Sequence, residues 1–253
     1  MGDEPKQIKR KFPRTVVVVC EKRREGIVRI RRAHPEVNLI LMDDGFQHRR
    51  VVPTVNIVLV DYTRPVYTDH LLPWGHLRDL KSQMKRADIV VVTKTPADVT
   101  PIDRRLMVKR LRLFPYQSLF FTTMQQGKPE AVFGDMANTA APMRNVAVMS
   151  GIGNPGPLSA ELKKRYNVVA TFTFPEHPVY RVRDLRKVVD TLELLPPDNA
   201  VITTEKDGVK LTNRKQIPEV IQQKLYTIPV KLLFADGEED KFIKPLYKNV
   251  RKG

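Results

Sequence analysis

Chemistry is concentrated first in NLILMDDGFQHRR, residues 38–50, where two adjacent carboxylates, Asp43 and Asp44, follow the apolar run Leu39 to Met42. Carboxylates side by side repel unless a cation or hydrogen-bond donors relieve them. A strand that ends in aspartate is one way phosphoryl-transfer sites hold Mg²⁺, and ligands gather at the carboxyl ends of strands in open α/β sheets. The plainer reading is a polar turn, with Asp44 and Gly45 making the bend. Further on, NIVLVDYTRPVYTDHLLPWGHLRDLKSQMKRADIVVVTK places a second strand ending at Asp61, then an irregular loop with the sole tryptophan, Trp74, then a third strand. In that loop Arg78 and Asp79 read either as part of a phosphate clamp or as an ordinary surface ion pair.

Three strings in the second half add candidates. VAVMSGIGNPGP holds a formal GxGxxG at Gly151, Gly153 and Gly156, which by itself supports dinucleotide binding. Pro155 and Pro157 stiffen that turn, and no acidic residue ends a following strand at ribose-binding distance. The string therefore reads as a tight strand-to-helix turn whose amides can face an anion. His177 stands between prolines in FPEHPVY, a loop position with no evident core role. In VITTEKDGVKL a strand runs into Glu205, Lys206 and Asp207.

The elements that must position these residues are legible as short apolar, β-branched runs: Thr15 to Cys20, Leu39 to Met42, Asn56 to Val60, Ile89 to Thr93, Val146 to Ser150 and Ala200 to Thr204. Continuous runs predict strands buried on both faces. Helical stretches lie between them, at Glu21 to Ala33, Pro101 to Leu113, Pro157 to Tyr166, Asp184 to Leu194 and Pro218 to Leu225. Such alternation predicts an α/β fold with a mostly parallel sheet. From Tyr116 to Met143 the periodicity is lost and turn residues accumulate, which predicts an interdomain connection containing a short hairpin. The expected organisation is an α/β core over 1–115, a linker over 116–143 and a smaller α/β domain over 144–253.

Across 253 residues, 44 Lys and Arg stand against 28 Asp and Glu, a formal net charge of +16. Charge of that sign favours acidic partners: nucleic acid, nucleotide phosphates or an anionic membrane surface. Basic residues cluster at Lys22 to Arg32 and Arg104 to Arg112, on predicted helices that also read as solvated faces. No groove-reading motif or spaced set of exposed aromatics accompanies them, so nucleic acid is not the expected partner. The 42% apolar content excludes disorder, and no run approaches the roughly 18 apolar residues of a membrane span. One cysteine, Cys20, and a start without a signal-like apolar segment predict a reducing, cytoplasmic setting.

GDEP, DDGFQHRR, LLPWGHLRD, RADIVVVTK, SGIGNP, FPEHPVY and TEKDGVKL occur here in the order and approximate spacing of the tetraacyldisaccharide 4'-kinases, the lipid A kinases of Gram-negative bacteria. The chain resembles that family over nearly its whole length. The resemblance implies a P-loop NTPase-like three-layer α/β/α domain, a second smaller α/β domain and a β-stranded linker. It implies transfer of the ATP γ-phosphate, with Mg²⁺, to the 4'-hydroxyl of a tetraacylated glucosamine disaccharide 1-phosphate, giving lipid IVA. The lipid A disaccharide precursor and an anionic membrane surface are the implied partners. The implied location is peripheral, on the cytoplasmic face of the inner membrane.

Carried over by position, the resemblance casts Asp3 as the catalytic carboxylate paired with His177, and Glu4 as a Mg²⁺-site residue. Asp43 and Asp44 take the role of the Walker B metal pair, Gln47 and His48 lie near nucleotide or acceptor, and Arg78 contacts phosphate. Asp79 stands where the family generally has Glu, Glu176 where Asp is usual, and Trp74 where a small residue is usual. Family members carry a membrane-associating helix and a Walker A loop, GxxxxGK[ST], ahead of GDEP. No such match occurs in these 253 residues. The expectation is a core without its first strand and phosphate loop, inactive as given. The alternatives are a different nucleotide- or dinucleotide-dependent α/β enzyme, or a non-catalytic lipid- or membrane-binding remnant.

Overall fold

The structure, a computed structural model, describes residues 3–134, 143–151, 156–175, 180–212, 214 and 216–250. The chain divides into two compact units, Met1–Val19 with Gln126–Val230, and Cys20–Gln125 with Lys231–Gly253. The elements run α1 (Asp3–Lys11), α2 (Arg23–Ala33), β1 (Ile57–Asp61), β2 (Ile89–Thr93), α3 (Pro101–Leu111) and β3 (Ser118–Gln126). They continue as β4 (Glu130–Ala131), β5 (Asn145–Ser150), α4 (Gly156–Lys163), β6 (Asn167–Thr173), α5 (Val182–Glu193) and β7 (Asn199–Thr204). The last are α6 (Glu205–Thr212), α7 (Glu219–Lys224), β8 (Leu225–Ile228), β9 (Val230–Phe234) and α8 (Glu239–Val250).

In the unit holding Cys20–Gln125, the sheet order is β1-β2-β3-β9, with β1 parallel to β2 and β2 parallel to β3. The run IVVVT of β2 is apolar because both sides of this strand are covered. Val90 and Val92 pack with Val60, Met107 and Leu111, which brings α3 onto one face. Ile89, Val91 and Phe120 meet Phe234, Phe242 and Leu246 on the other, where Phe120 sits edge-on to both phenylalanines. Helix α3 starts where Thr100 accepts from the Asp103 amide at 3.1 Å, with Pro101 in its first turn, and it stops at Arg112 in the left-handed region.

The second unit has the sheet order β4-β8-β7-β5-β6, parallel except for the short β4. Its layers follow from alternation along the strands. Ala147, Met149 and Val201 pack with Leu185, Val188, Leu192, Leu211 and Ile221, from α5, α6 and α7. Val146, Val148 and Ile202 pack with Leu162 of α4 on the opposite face. Each such fully buried aliphatic side chain contributes about 1.5–3 kcal/mol.

Four of the six predicted strands form, at β1, β2, β5 and β7, and all five predicted helices form with small shifts at their ends. The runs Thr15 to Cys20 and Leu39 to Met42 form no strand. A strand needs a neighbour to hydrogen-bond with, and among the described residues neither run has one; Leu41 is 85% exposed. The region expected as a linker contains β3, because Ile89 to Val92 of β2 pair with Ser118 to Phe121. Residues 116–125 thus pack with the N-terminal sheet, Lys231–Gly253 returns to that unit, and Met1–Val19 belongs to the other. The two units are therefore discontinuous in sequence, unlike the contiguous segments expected.

Candidate functional site

The predicted site residues fall into two groups, one in each unit. In the unit of Cys20–Gln125, Asp43 and Asp44 lie in a turn after the irregular segment, and Asp44 adopts φ 49, a left-handed conformation that short polar side chains tolerate. The turn expected from Asp44 and Gly45 is present, and it carries both carboxylates into solvent. Arg78 donates to Asp44 Oδ2 at 3.1 Å, so the loop residue reaches back to the carboxylate pair. Asp79 does not pair with Arg78. Its carboxylate instead accepts from Arg49 at 3.4 Å and from Arg86 at 3.5 Å, and its Oδ1 accepts from the Leu80 amide at 2.9 Å. Arg86 also donates to the Phe46 carbonyl at 2.9 Å and lies over the Phe46 ring, 4.0 Å from its centroid. The loop after β1 is thereby fastened to DDGFQHRR at both Asp44 and Asp79.

Trp74 lies at the tip of this loop, 90% exposed. The ends of the tip close through a bridge between Leu71 and Leu77 and through Asp69, which accepts from the amides of His70 at 2.7 Å and His76 at 3.1 Å. Those amides hold the Asp69 carboxyl below its ordinary value. Gly75 is required here because a Cβ would collide with the His70 carbonyl.

Gln47 and His48 line a groove of about 880 Å³ together with Lys22, Arg23, Arg24, Arg29, Arg32, Arg49 and Arg50. Seven cationic side chains against Glu21 and Glu25 give this groove a strong positive field. Gln47 also borders a smaller pocket of about 130 Å³ lined by Arg78, Asp79 and Lys81. Sequence reasoning singled out Gln47, His48, Arg78 and Asp79, but not Arg49 or Arg86. Their signal was present in the contiguous HRR and in the RAD before β2, but nothing in spacing linked either to Asp79.

At the carboxyl ends of the parallel strands β1 and β2, Asp61 accepts from Lys94 at 2.5 Å and from the Thr63 hydroxyl and amide at 2.7 and 2.9 Å. Burial opposes its ionisation, but the hydrogen bonds from Lys94 and Thr63 outweigh it and hold the carboxyl at about 2. A carboxyl with a lowered value stabilises the fold above its unfolded value of about 3.9 and loses that contribution as pH falls through about 2. Lys94→Met is expected to move the Asp61 titration upward towards the ordinary carboxylate value, read by NMR of the side-chain carboxyl. An unchanged titration would show that Lys94 does not set it.

In the other unit, α1 begins at Asp3, whose side chain lies outside the described residues, as do Glu176 and His177. The pairing of Asp3 with His177 is therefore not part of the described structure. Glu4 accepts from Lys206 at 3.3 Å. Among the described residues no group of three or more His, Cys, Asp or Glu side chains is gathered as a metal cage. Mg²⁺ in nucleotide sites commonly takes only one or two carboxylates and completes its shell with water and substrate phosphate. The adjacent, solvent-facing Asp43 and Asp44 fit that donor set.

The family model for tetraacyldisaccharide-1-P 4'-kinase, LpxK, matches residues 1–251. A tetraacyldisaccharide 4'-kinase of Phocaeicola vulgatus is 35% identical over 100% of this chain and 71% of its own length. That of Parabacteroides distasonis is 36% identical over 99% of this chain and 70% of its own length. In three dimensions the chain resembles LpxK from Aquifex aeolicus, solved in complex with ATP, with a TM-score of 0.70 at 24% identity, covering 98% of this chain and 69% of that one. This last likeness establishes the α/β fold, and the sequence matches, which span this chain and about 70% of each relative, establish the descent. The chain belongs to the tetraacyldisaccharide-1-P 4'-kinase family.

Proposed function

We propose that this protein is an ATP-dependent lipid kinase that phosphorylates the 4'-hydroxyl of a tetraacyldisaccharide 1-phosphate, the step that yields lipid IVA. The observation that carries this reading is the family match over residues 1–251, which takes in every motif singled out above. In the reaction the 4'-oxygen forms a bond to the γ-phosphorus while the bond from that phosphorus to the β–γ bridging oxygen breaks, and ADP leaves. The hydroxyl proton passes to the Asp3 carboxylate, with the His177 imidazole tuning its charge. Arg78, already turned towards Asp44, exchanges that carboxylate for a phosphate oxygen when nucleotide enters. Asp43 and Asp44 would hold Mg²⁺, which supplies charge neutralisation at the transferring phosphate.

The basic groove serves the other substrate. A disaccharide 1-phosphate embedded in an anionic leaflet presents phosphate charge, and the seven cations around Gln47 and His48 are complementary to it. Among the described residues no helix is long and apolar enough to cross a membrane. The proposed attachment is peripheral, at the inner membrane's cytoplasmic face, through the charge of this groove. Binding to vesicles containing anionic lipid is expected to weaken as salt rises, since the screening length falls to about 8 Å near physiological ionic strength. Arg49→Glu with Arg50→Glu should weaken it further, measured by co-sedimentation. Salt-insensitive binding to neutral vesicles would point to an apolar attachment instead.

The direct test is phosphate transfer. Incubated with ATP, Mg²⁺ and tetraacyldisaccharide 1-phosphate, the chain joined to a GxxxxGK[ST]-bearing segment from a relative should give a product with a second phosphomonoester, detected by ³¹P NMR. NAD(H) binding with no ATP-dependent product would favour the dinucleotide reading, and lipid binding without turnover the non-catalytic one.

A further inference from the structure

The string TEKDGVKL is not used by the mechanism above, yet in the unit of Met1–Val19 and Gln126–Val230 residues of two other motifs meet it. Helix α1, which carries Asp3 and Glu4, packs against α6. Two crossed ion pairs fix the contact: Lys206 to Glu4 at 3.3 Å and Lys11 to Glu205 at 3.3 Å. One residue further, Asp207 is fully buried. Its Oδ2 accepts from the Gly151 amide at 2.9 Å and from the Thr204 hydroxyl at 2.8 Å, while its own amide donates to Thr204 Oγ1 at 3.1 Å. Gly151 opens the GIGNPG string. Tyr180, three residues after His177 in sequence, is buried against the same carboxylate; burial first, then the Asp207 charge, pushes its phenol up from its ordinary value.

A buried carboxylate costs free energy unless donors and a countercharge compensate it. Capping α6 would not require that cost, because Thr204 and a solvent-facing acid would suffice. The bond to Gly151 lies outside the helix, 56 positions away in sequence, and Lys210 stands 3.8 Å from Asp207 as countercharge. Gly208 lets this turn lie close to β8, since a Cβ there would come within 2.6 Å of the Thr227 methyl. The Lys206–Glu4 pair, by contrast, is largely solvated, so it adds little stability. What it supplies is orientation of the first turn of α1.

We propose, resting on the kinase reading above, that Lys206 and Asp207 are positioning residues. Lys206 orients the Asp3 and Glu4 end of α1. Asp207 ties Gly151, at the end of β5, to the first turn of α6. TEKD is thus the common anchor of the start of α1 and of Gly151 at the end of β5.

Two measurements test this. In the 253-residue chain, Asp207→Asn should raise amide hydrogen exchange at Gly151 by about tenfold or more, the loss of a charge-assisted hydrogen bond, while β7 amides keep their protection. Lys206→Met should raise exchange only in α1, at the second-turn amides that bond back to first-turn carbonyls, and Lys206→Arg should restore it. Unchanged exchange at Gly151 and in α1 overturns the proposal. In the protein carrying a phosphate-loop segment, Lys206→Met should lower kcat by about tenfold with the KM for ATP unchanged, and Lys206→Arg should recover most of the loss. A wild-type kcat in Lys206→Met, or an effect confined to KM, also overturns it. The exchange measurements need no substrate, so failure of the anchor and failure of the kinase reading are told apart.

Discussion

Replacing Asp43 or Asp44 by Asn is expected to lower phosphate transfer by about 100-fold or more, in the chain joined to a phosphate-loop segment, with the fold unchanged by circular dichroism. The expectation rests on position and on charge. Both side chains face solvent in one turn, and their repulsion is relieved only in part, by Arg78 at 3.1 Å from Asp44. A divalent cation held by the pair would relieve it and would neutralise charge on a phosphate bound beside it. The two variants should differ in one respect. Asp44→Asn also frees Arg78 from its ion pair, so its ATP KM should change less than that of Arg78→Ala, which would remove the proposed phosphate contact outright. Wild-type turnover in both aspartate variants would remove the metal role from this turn.

How much of this site was legible in the sequence depended on whether a feature is local. Ile89 to Thr93 was read as a buried strand because IVVVT needs no partner to be recognised, and β2 occupies those residues. Leu39 to Met42 has the same apolar character and forms no strand, because strand formation is decided by a neighbour that sequence does not display. The turn at Asp44 and Gly45 was legible from residue type. The attachment of Asp79 to Arg49 and Arg86 was not, since it joins residues 30 and 7 positions apart across an irregular loop. Likewise the 28 residues expected as a linker hide β3, whose FFTT core lacks the punctuation that marked the other strands. TEKD showed its strand and its charges, but its proposed part as an anchor depends on Gly151 and α1, which only the fold brings to it.

The 253 residues assayed without any added segment are expected to give no detectable 4'-phosphorylated product. Phosphoryl transfer is catalysed mainly by preorganised charge, and a P-loop supplies a row of backbone amides and a lysine against the β- and γ-phosphates. No GxxxxGK[ST] occurs in this sequence, and SGIGNPG has no lysine at the corresponding place. Neither Arg78 nor the groove cations replace a backbone cradle, because a side-chain cation positions phosphate less rigidly than fixed amides do. The structure adds a second expectation. β1 is an end strand of its sheet, with Leu59 67% exposed. Hydrogen exchange should therefore be faster in β1 than in β5 and β7, which lie inside the other sheet and are buried on both faces. Joining a GxxxxGK[ST]-bearing segment should restore ATP-dependent product and slow exchange in β1 together, because in P-loop folds the strand feeding that loop lies within the sheet. Robust ATP-dependent product from the 253 residues alone would place the phosphate site elsewhere in the chain. Product restored without any slowing of β1 exchange would separate the phosphate loop from the completion of this sheet.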